Sequence, residues 1–222
     1  MKKLLVALVA LSLVGGFSAV LYAGIQGSVH DFSGQPFAGG QICVVCHAPH
    51  NVATPVIPPL WNHELSTVTY NVYSSPTLDA GPLGQPTGST KLCLSCHDGT
   101  VAVDSFGGNT GSFFVTGDAN IGGPNGDDLT NDHPISFTYD SALATTDGGL
   151  FDPTATTVTI GSGAFTKTGT IQDVLLQDDQ LQCAACHAVH NDFVVLDAPS
   201  AGKLLKITIG ASELCLACHN LE

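Results

Sequence analysis

Cys43-Val44-Val45-Cys46-His47 decides how this chain is read, because the same pattern returns three more times. The repeats are Cys93-Leu94-Ser95-Cys96-His97, Cys183-Ala184-Ala185-Cys186-His187 and Cys215-Leu216-Ala217-Cys218-His219. C-x-x-C-H is the attachment signature of c-type haem. Thiols three residues apart share one face of a helical turn, where both reach the vinyl groups of one porphyrin. The His that follows sits under the metal as proximal ligand. All 8 cysteines fall in such motifs. A structural zinc site closes at four ligands and has no use for a His after every second Cys. A disulfide framework predicts irregular spacing, and a thioredoxin-like site a single C-x-x-C. The expected cofactors are therefore four covalently attached haem c groups. Cys43, Cys46, Cys93, Cys96, Cys183, Cys186, Cys215 and Cys218 would hold them, with His47, His97, His187 and His219 as proximal ligands.

The four copies are not equal. Cys43 to Asn51 reads CVVCHAPHN and Cys183 to Asn191 reads CAACHAVHN, while Leu92 to Asp98 reads LCLSCHD and Leu214 to Asn220 reads LCLACHN. Motifs one and three match, as do two and four, which is the signature of a duplicated two-haem unit. The units are placed at 24–105 and 106–222, the second opened by a Gly/Thr-rich insertion over about 106–172. Within it, Thr157 to Ile160 and Phe165 to Ile171 read as a hairpin. Asp173 to Cys183 reads as a short helix delivering motif three, and Ala211 to His219 as a last short helix.

The sixth ligands follow by counting. The only Met is Met1, so methionine ligation is not available downstream. Of 9 histidines, those outside the motifs are His30, His50, His63, His133 and His190. A lone His is ordinarily solvated or hydrogen-bonded, but here supply nearly matches demand. The duplication pairs His30 with His133 and His50 with His190, leaving His63 as the odd one out. His50 and His190 each lie three residues after a proximal His, on the same side of a helical turn. Neither can reach the far face of its own iron, so each must serve another haem, in this chain or a neighbouring one. Bis-His ligation fills the iron's coordination sphere and, without Met, implies low potential. The expected role is electron transfer without bond chemistry, and not enzymatic catalysis.

Composition agrees. The net charge is −13, and beyond Lys2 and Lys3 only Lys91, Lys167, Lys203 and Lys206 face 19 acids. That balance argues against nucleic acid and anionic membranes as partners; it suits cationic partners or metal ions, or solubility alone. With four haems in so short a chain, macrocycles would supply most of the buried apolar mass. The fold class expected is mostly irregular coil, with short helices and a few short strands wrapped around a haem stack. Trp61, the single Trp, is expected to pack on a macrocycle. Residues 1–23 read as a secretory signal peptide: a basic start, an apolar run from Leu4 to Val14, and a small residue, Ala23, before Gly24. An uncleaved anchor is the competing reading. Export fits covalent haem, which is attached outside the cytoplasm.

His30 to Gly34 (HDFSG), CVVCHAPHN, Pro59 to His63 (PLWNH), Lys91 to Thr100 (KLCLSCHDGT), Asp132 to Phe137 (DHPISF) and CAACHAVHN together carry a further likeness. In these stretches the chain resembles the doubled-C-x-x-C-H multihaem cytochromes secreted by metal-respiring bacteria. In size, motif number, leader and N-terminal His it is similar to the OmcE-type tetrahaem cytochromes that polymerise into extracellular nanowires. The resemblance implies a secreted, cell-surface filament of bis-His haems in which one subunit supplies a ligand to the next. By motif, His50 in CHAPH is the candidate for that ligand, with His30 second. It also implies upstream periplasmic or outer-membrane cytochromes as donors and extracellular acceptors such as metal oxides. A monomeric periplasmic electron shuttle is the alternative. A multihaem reductase stands behind both, because the histidine supply argues against an open iron.

Overall fold

The computed structural model describes residues 24–48, 60–190 and 192–220. Helix makes up 21% and strand 16%, so turns and irregular segments carry most of the chain. The helices are α1 (Gly88–His97), α2 (Ser141–Asp147), α3 (Ile171–Val174), α4 (Cys183–Cys186) and α5 (Glu213–Leu216). The strands are β1 (Asn71–Val72), β2 (Asp128–Leu129), β3 (Phe137–Thr138), β4 (Thr157–Ser162), β5 (Phe165–Thr170) and β6 (Gln180–Leu181). They form three two-stranded pairs: β1 with β2 in parallel, and β3 with β6 and β4 with β5 antiparallel. Among the described residues no helix is long and apolar enough to cross a membrane.

The β4–β5 hairpin turns through Gly163 at φ +60°, a left-handed conformation that suits a tight two-residue loop. The helix expected from Asp173 to Cys183 is interrupted. It stops at Val174, and Asp178 and Asp179 both take positive φ (50° and 60°), which ends any right-handed helix. Gln177 and Gln180 close that turn, and Leu181 then pairs with Phe137. The last helix is likewise shorter than Ala211 to His219. Ala211 and Ser212 are left-handed (φ 51° and 63°), so α5 begins only at Glu213.

Two cores result. Tyr139, Ile160, Ile171, Leu175, Leu181 and Ile207 form the larger one, around motifs three and four. Tyr70, Leu94 and Leu129 form a smaller one under α1, covered by Val68, Ile121 and Ile135. The stretch from Ile121 to Ile135, beyond the first unit as the motifs delimit it, thus packs on that first unit. β2 pairs with β1, and the Ile121 amide donates to the His97 carbonyl at 2.8 Å.

The duplication has a counterpart in the backbone. Ala48 N–H donates to the Leu60 carbonyl and Asn62 N–H to the Cys46 carbonyl. In the second half Ala188 N–H donates to Leu204 and Lys206 N–H to Cys186. Leu60 and Leu204 share a positive φ (61° and 54°). The bridge between His47 and Trp61 matches that between His187 and Leu205. This register sets Asn62 opposite Lys206 and His63 opposite Ile207.

Leu94 is wholly enclosed and lies within motif two. Leu94→Ala is expected to cost about 2–5 kcal/mol, read as a lower denaturant midpoint with an unchanged slope.

Candidate haem-ligand site

The four motifs adopt one local shape. The His47 amide donates to the Cys43 carbonyl at 2.8 Å, His187 to Cys183 at 3.1 Å and His219 to Cys215 at 2.9 Å, while motif two lies within α1. Each is a single helical turn, with its His at the end of that turn. The thiols of the described chain are free. Burial pushes the second thiol of every motif up: Cys46 and Cys186 to about 11, Cys96 and Cys218 to about 12. A thioether carries no charge and loses nothing by being buried.

The motifs stand in file. Cys46 lies within electrostatic reach of Cys93 and Cys96. The Cys93 and Cys183 side chains lie within electrostatic reach of each other, and Cys186 lies within reach of Cys215 and Cys218. The junction of motifs two and three is bolted by side chains. Thr90 Oγ1 accepts from the Cys183 amide at 3.0 Å, and buried Gln182 accepts from Ser136 Oγ at 3.1 Å.

Imidazoles occur in pairs. His47 and His190 lie 6.2 Å apart between ring centroids, nearly parallel at 15°. His30 and His97 are 6.0 Å apart at 55°, and His133 and His219 are 6.3 Å apart at 70°. Metal–nitrogen bonds of about 2 Å, plus about 1.1 Å from each nitrogen to its ring centre, put two opposed imidazoles on one metal about 6.2 Å apart. The three pairs match that spacing, and each couples one motif His with one His from outside the motifs. Among the described residues no group of three or more His, Cys, Asp or Glu side chains converges as a bare-metal site.

Second contacts orient the rings. His97 Nδ1 lies 2.7 Å from the Ala119 carbonyl, His187 Nδ1 2.8 Å from Lys203 and His133 Nδ1 2.8 Å from Pro134. A carbonyl only accepts, so Nδ1 carries the proton and Nε2 keeps its lone pair for a metal. Burial, followed by the charges of His97, His187 and His190, lowers His30 to about 4, which keeps its ring in the neutral form a metal needs. Three buried polar atoms find no partner among the described residues: His30 Nδ1, Trp61 Nε1 and Asp132 Oδ2. Each belongs to a paired His, to the ring packed edge-on against His47, or to the residue before His133. A buried polar atom without a partner leaves room for a group that the described residues do not supply. Thiol pairs, imidazole spacing, tautomers and orphans all fit haem c.

His63 is placed differently. It is 5% exposed, with Nδ1 2.7 Å from the Glu64 carbonyl and Nε2 2.9 Å from the Ala102 carbonyl. The neutral ring can donate to only one of these carbonyls, its Nε2 also lies 3.4 Å from Cys96 Sγ, and the matching position in the second half is the core residue Ile207. His50 lies outside the described residues. Sequence reasoning named the motif and non-motif histidines but not which of them meet. It also missed the buried Asp98 carboxylate beside His97, whose only sequence signal is the difference between LCLSCHD and LCLACHN. No family model matches the chain, and no curated protein is similar to it.

His63→Leu is expected to leave the visible spectrum of the exported protein unchanged. Stripping the carbonyl that accepts from the His63 ring of its partner lowers stability by roughly 1–3 kcal/mol. A new high-spin band in that variant is the contrary result.

Proposed function

We propose that this chain is an exported tetrahaem c-type cytochrome that carries electrons through bis-His haems and polymerises into an extracellular conductive filament. The observation that carries the reading is the set of three imidazole pairs at the spacing of opposed ligands on one metal. When bound, haem supplies the one-electron redox chemistry. The protein's part is to attach, orient and enclose. Cys43, Cys46 and the six later motif thiols tether. His47 with His190, His97 with His30, and His219 with His133 would hold the iron, and a pair of imidazoles on each would leave no position for a substrate. His187 takes the remaining non-motif ligand, His50, and His63 is structural.

His190 follows motif three yet pairs with His47 of motif one, so the two halves are tied by a ligand. The filament reading draws on the corresponding role of His50: supplied to the site at His187 by the adjoining subunit, it would join copies as His190 joins halves. Large apolar side chains left exposed, Leu196 at 74%, Phe165 at 66% and Val29 at 61%, fit subunit contacts.

In the exported protein, His190→Ala is expected to keep four porphyrins by mass while a quarter of the haem becomes high-spin. An unchanged low-spin spectrum contradicts the pairing with His47. Negative stain of the native material is expected to show filaments that His50→Ala abolishes. A monomer in both points to the shuttle, and filaments in both remove His50 from the assembly.

A further inference from the structure

Motifs two and four are twins with one difference of charge. LCLSCHD ends on Asp98 and LCLACHN on Asn220, each directly after its proximal His. Asp98 is 0% exposed. Its Oδ2 accepts from the Tyr70 hydroxyl at 2.7 Å, and its Oδ1 from the Thr100 amide and hydroxyl at 2.7 and 2.8 Å. Tyr70 is itself buried and its hydroxyl also reaches Ser66 Oγ at 3.1 Å. Every donor in this knot is neutral, so the carboxylate is held inside the protein without a counter-charge.

Asp98 directly follows the proximal His97 and lies within electrostatic reach of Cys96, which places it on the haem-attachment side. The fourth motif has no such group. The carboxylate that reaches His219 is Asp147, which is half-exposed and accepts from the Gly149 amide at 2.9 Å. Water screens a charge in that position far more than one that is enclosed.

Reduction of an iron adds one negative charge, which a nearby fixed carboxylate in low dielectric opposes. We propose that Asp98 sets a redox asymmetry between the twinned sites, making the iron at His97 harder to reduce than the iron at His219. The inference rests on the haem reading above. It adds a preferred resting place for electrons, toward the second half of the chain.

The test is spectroelectrochemical titration of the holoprotein. Asp98→Asn is expected to move one quarter of the titrating Soret amplitude to higher potential and leave the rest in place. The ferrous-to-ferric ratio of that quarter at fixed applied potential rises roughly tenfold, the scale of one charge at an effective dielectric of about 20. Asn220→Asp moves a different quarter to lower potential. Should Asp98→Asn fail to load haem, Tyr70→Phe serves instead. It removes one of the three donors that partly neutralise the carboxylate, so the same quarter moves down. Variants that carry four porphyrins and titrate like the native protein, or an Asp98→Asn shift downward, overturn the role of Asp98. A native chain without porphyrin overturns the haem reading and this inference with it.

Discussion

Opposed imidazoles about 6 Å apart are a demanding arrangement for a polypeptide to hold by itself. Each pair joins segments far apart in the sequence: His47 to His190, His30 to His97, His133 to His219. Bringing such segments together costs loop-closure entropy, and little apolar surface is available to offset it. The core under motif two amounts to Tyr70, Leu94 and Leu129 with a few partners. On the proposed reading, metal–ligand bonds and porphyrin burial supply the missing stabilisation, as metal binding does in other small domains that fold around their ligands. The polypeptide then needs only to deliver each ring with the right tautomer. The backbone carbonyls of Ala119, Lys203 and Pro134 do so for His97, His187 and His133.

The two halves share one backbone scaffold. The segment that returns after each odd-numbered motif keeps its hydrogen bonds to the motif and a left-handed Leu, Leu60 or Leu204. The residues on that frame have diverged. Ile207 is packed in the larger core where His63 lies between the Glu64 and Ala102 carbonyls, and Lys206 reaches the Val174 carbonyl where Asn62 reaches Val44. The copies share their backbone requirements while their charges and core contacts differ, so the two halves are not interchangeable as electrostatic environments.

Much of this was legible in the residues, for identifiable reasons. The motif turns are local, so C-x-x-C-H dictates them, and the hairpin from Thr157 to Thr170 follows from alternation around Gly163. The count of histidines directs the expectation to His ligation, because the five outside the motifs outnumber the four motifs. Which His meets which is a long-range property, and nothing local encodes the meeting of His190 with His47. The helices expected near Asp173 and Ala211 were shortened by left-handed residues at Asp178, Asp179, Ala211 and Ser212. Tertiary pairing imposes that conformation at the first two: the Asp179 carbonyl accepts from Tyr139. The packing of Ile121 to Ile135 on the first half depends on a parallel pairing of two residues, too short to leave a pattern.

The acidic composition also acquires a structural meaning that bulk charge does not convey. Asp31, Asp98, Asp128 and Asp152 each stand two residues before a Ser or Thr, and each accepts both the amide and the hydroxyl of that residue. This side-chain turn replaces the hydrogen bonds that a helix or sheet would otherwise provide. Hydrogen bonds to Asp31, Asp128 and Asp152 hold these carboxyls below the usual range, with Gly27 leading for the first, Thr130 for the second and Ser141 for the third. A chain with so little regular structure needs many such turns, so a share of its negative charge follows from how its backbone is satisfied rather than from a partner it must attract. Asp98 uses the same turn, but Tyr70 and the core around it close over the carboxylate. A motif that is elsewhere only a way to bend the chain thereby becomes, beside His97, a fixed charge enclosed in the protein.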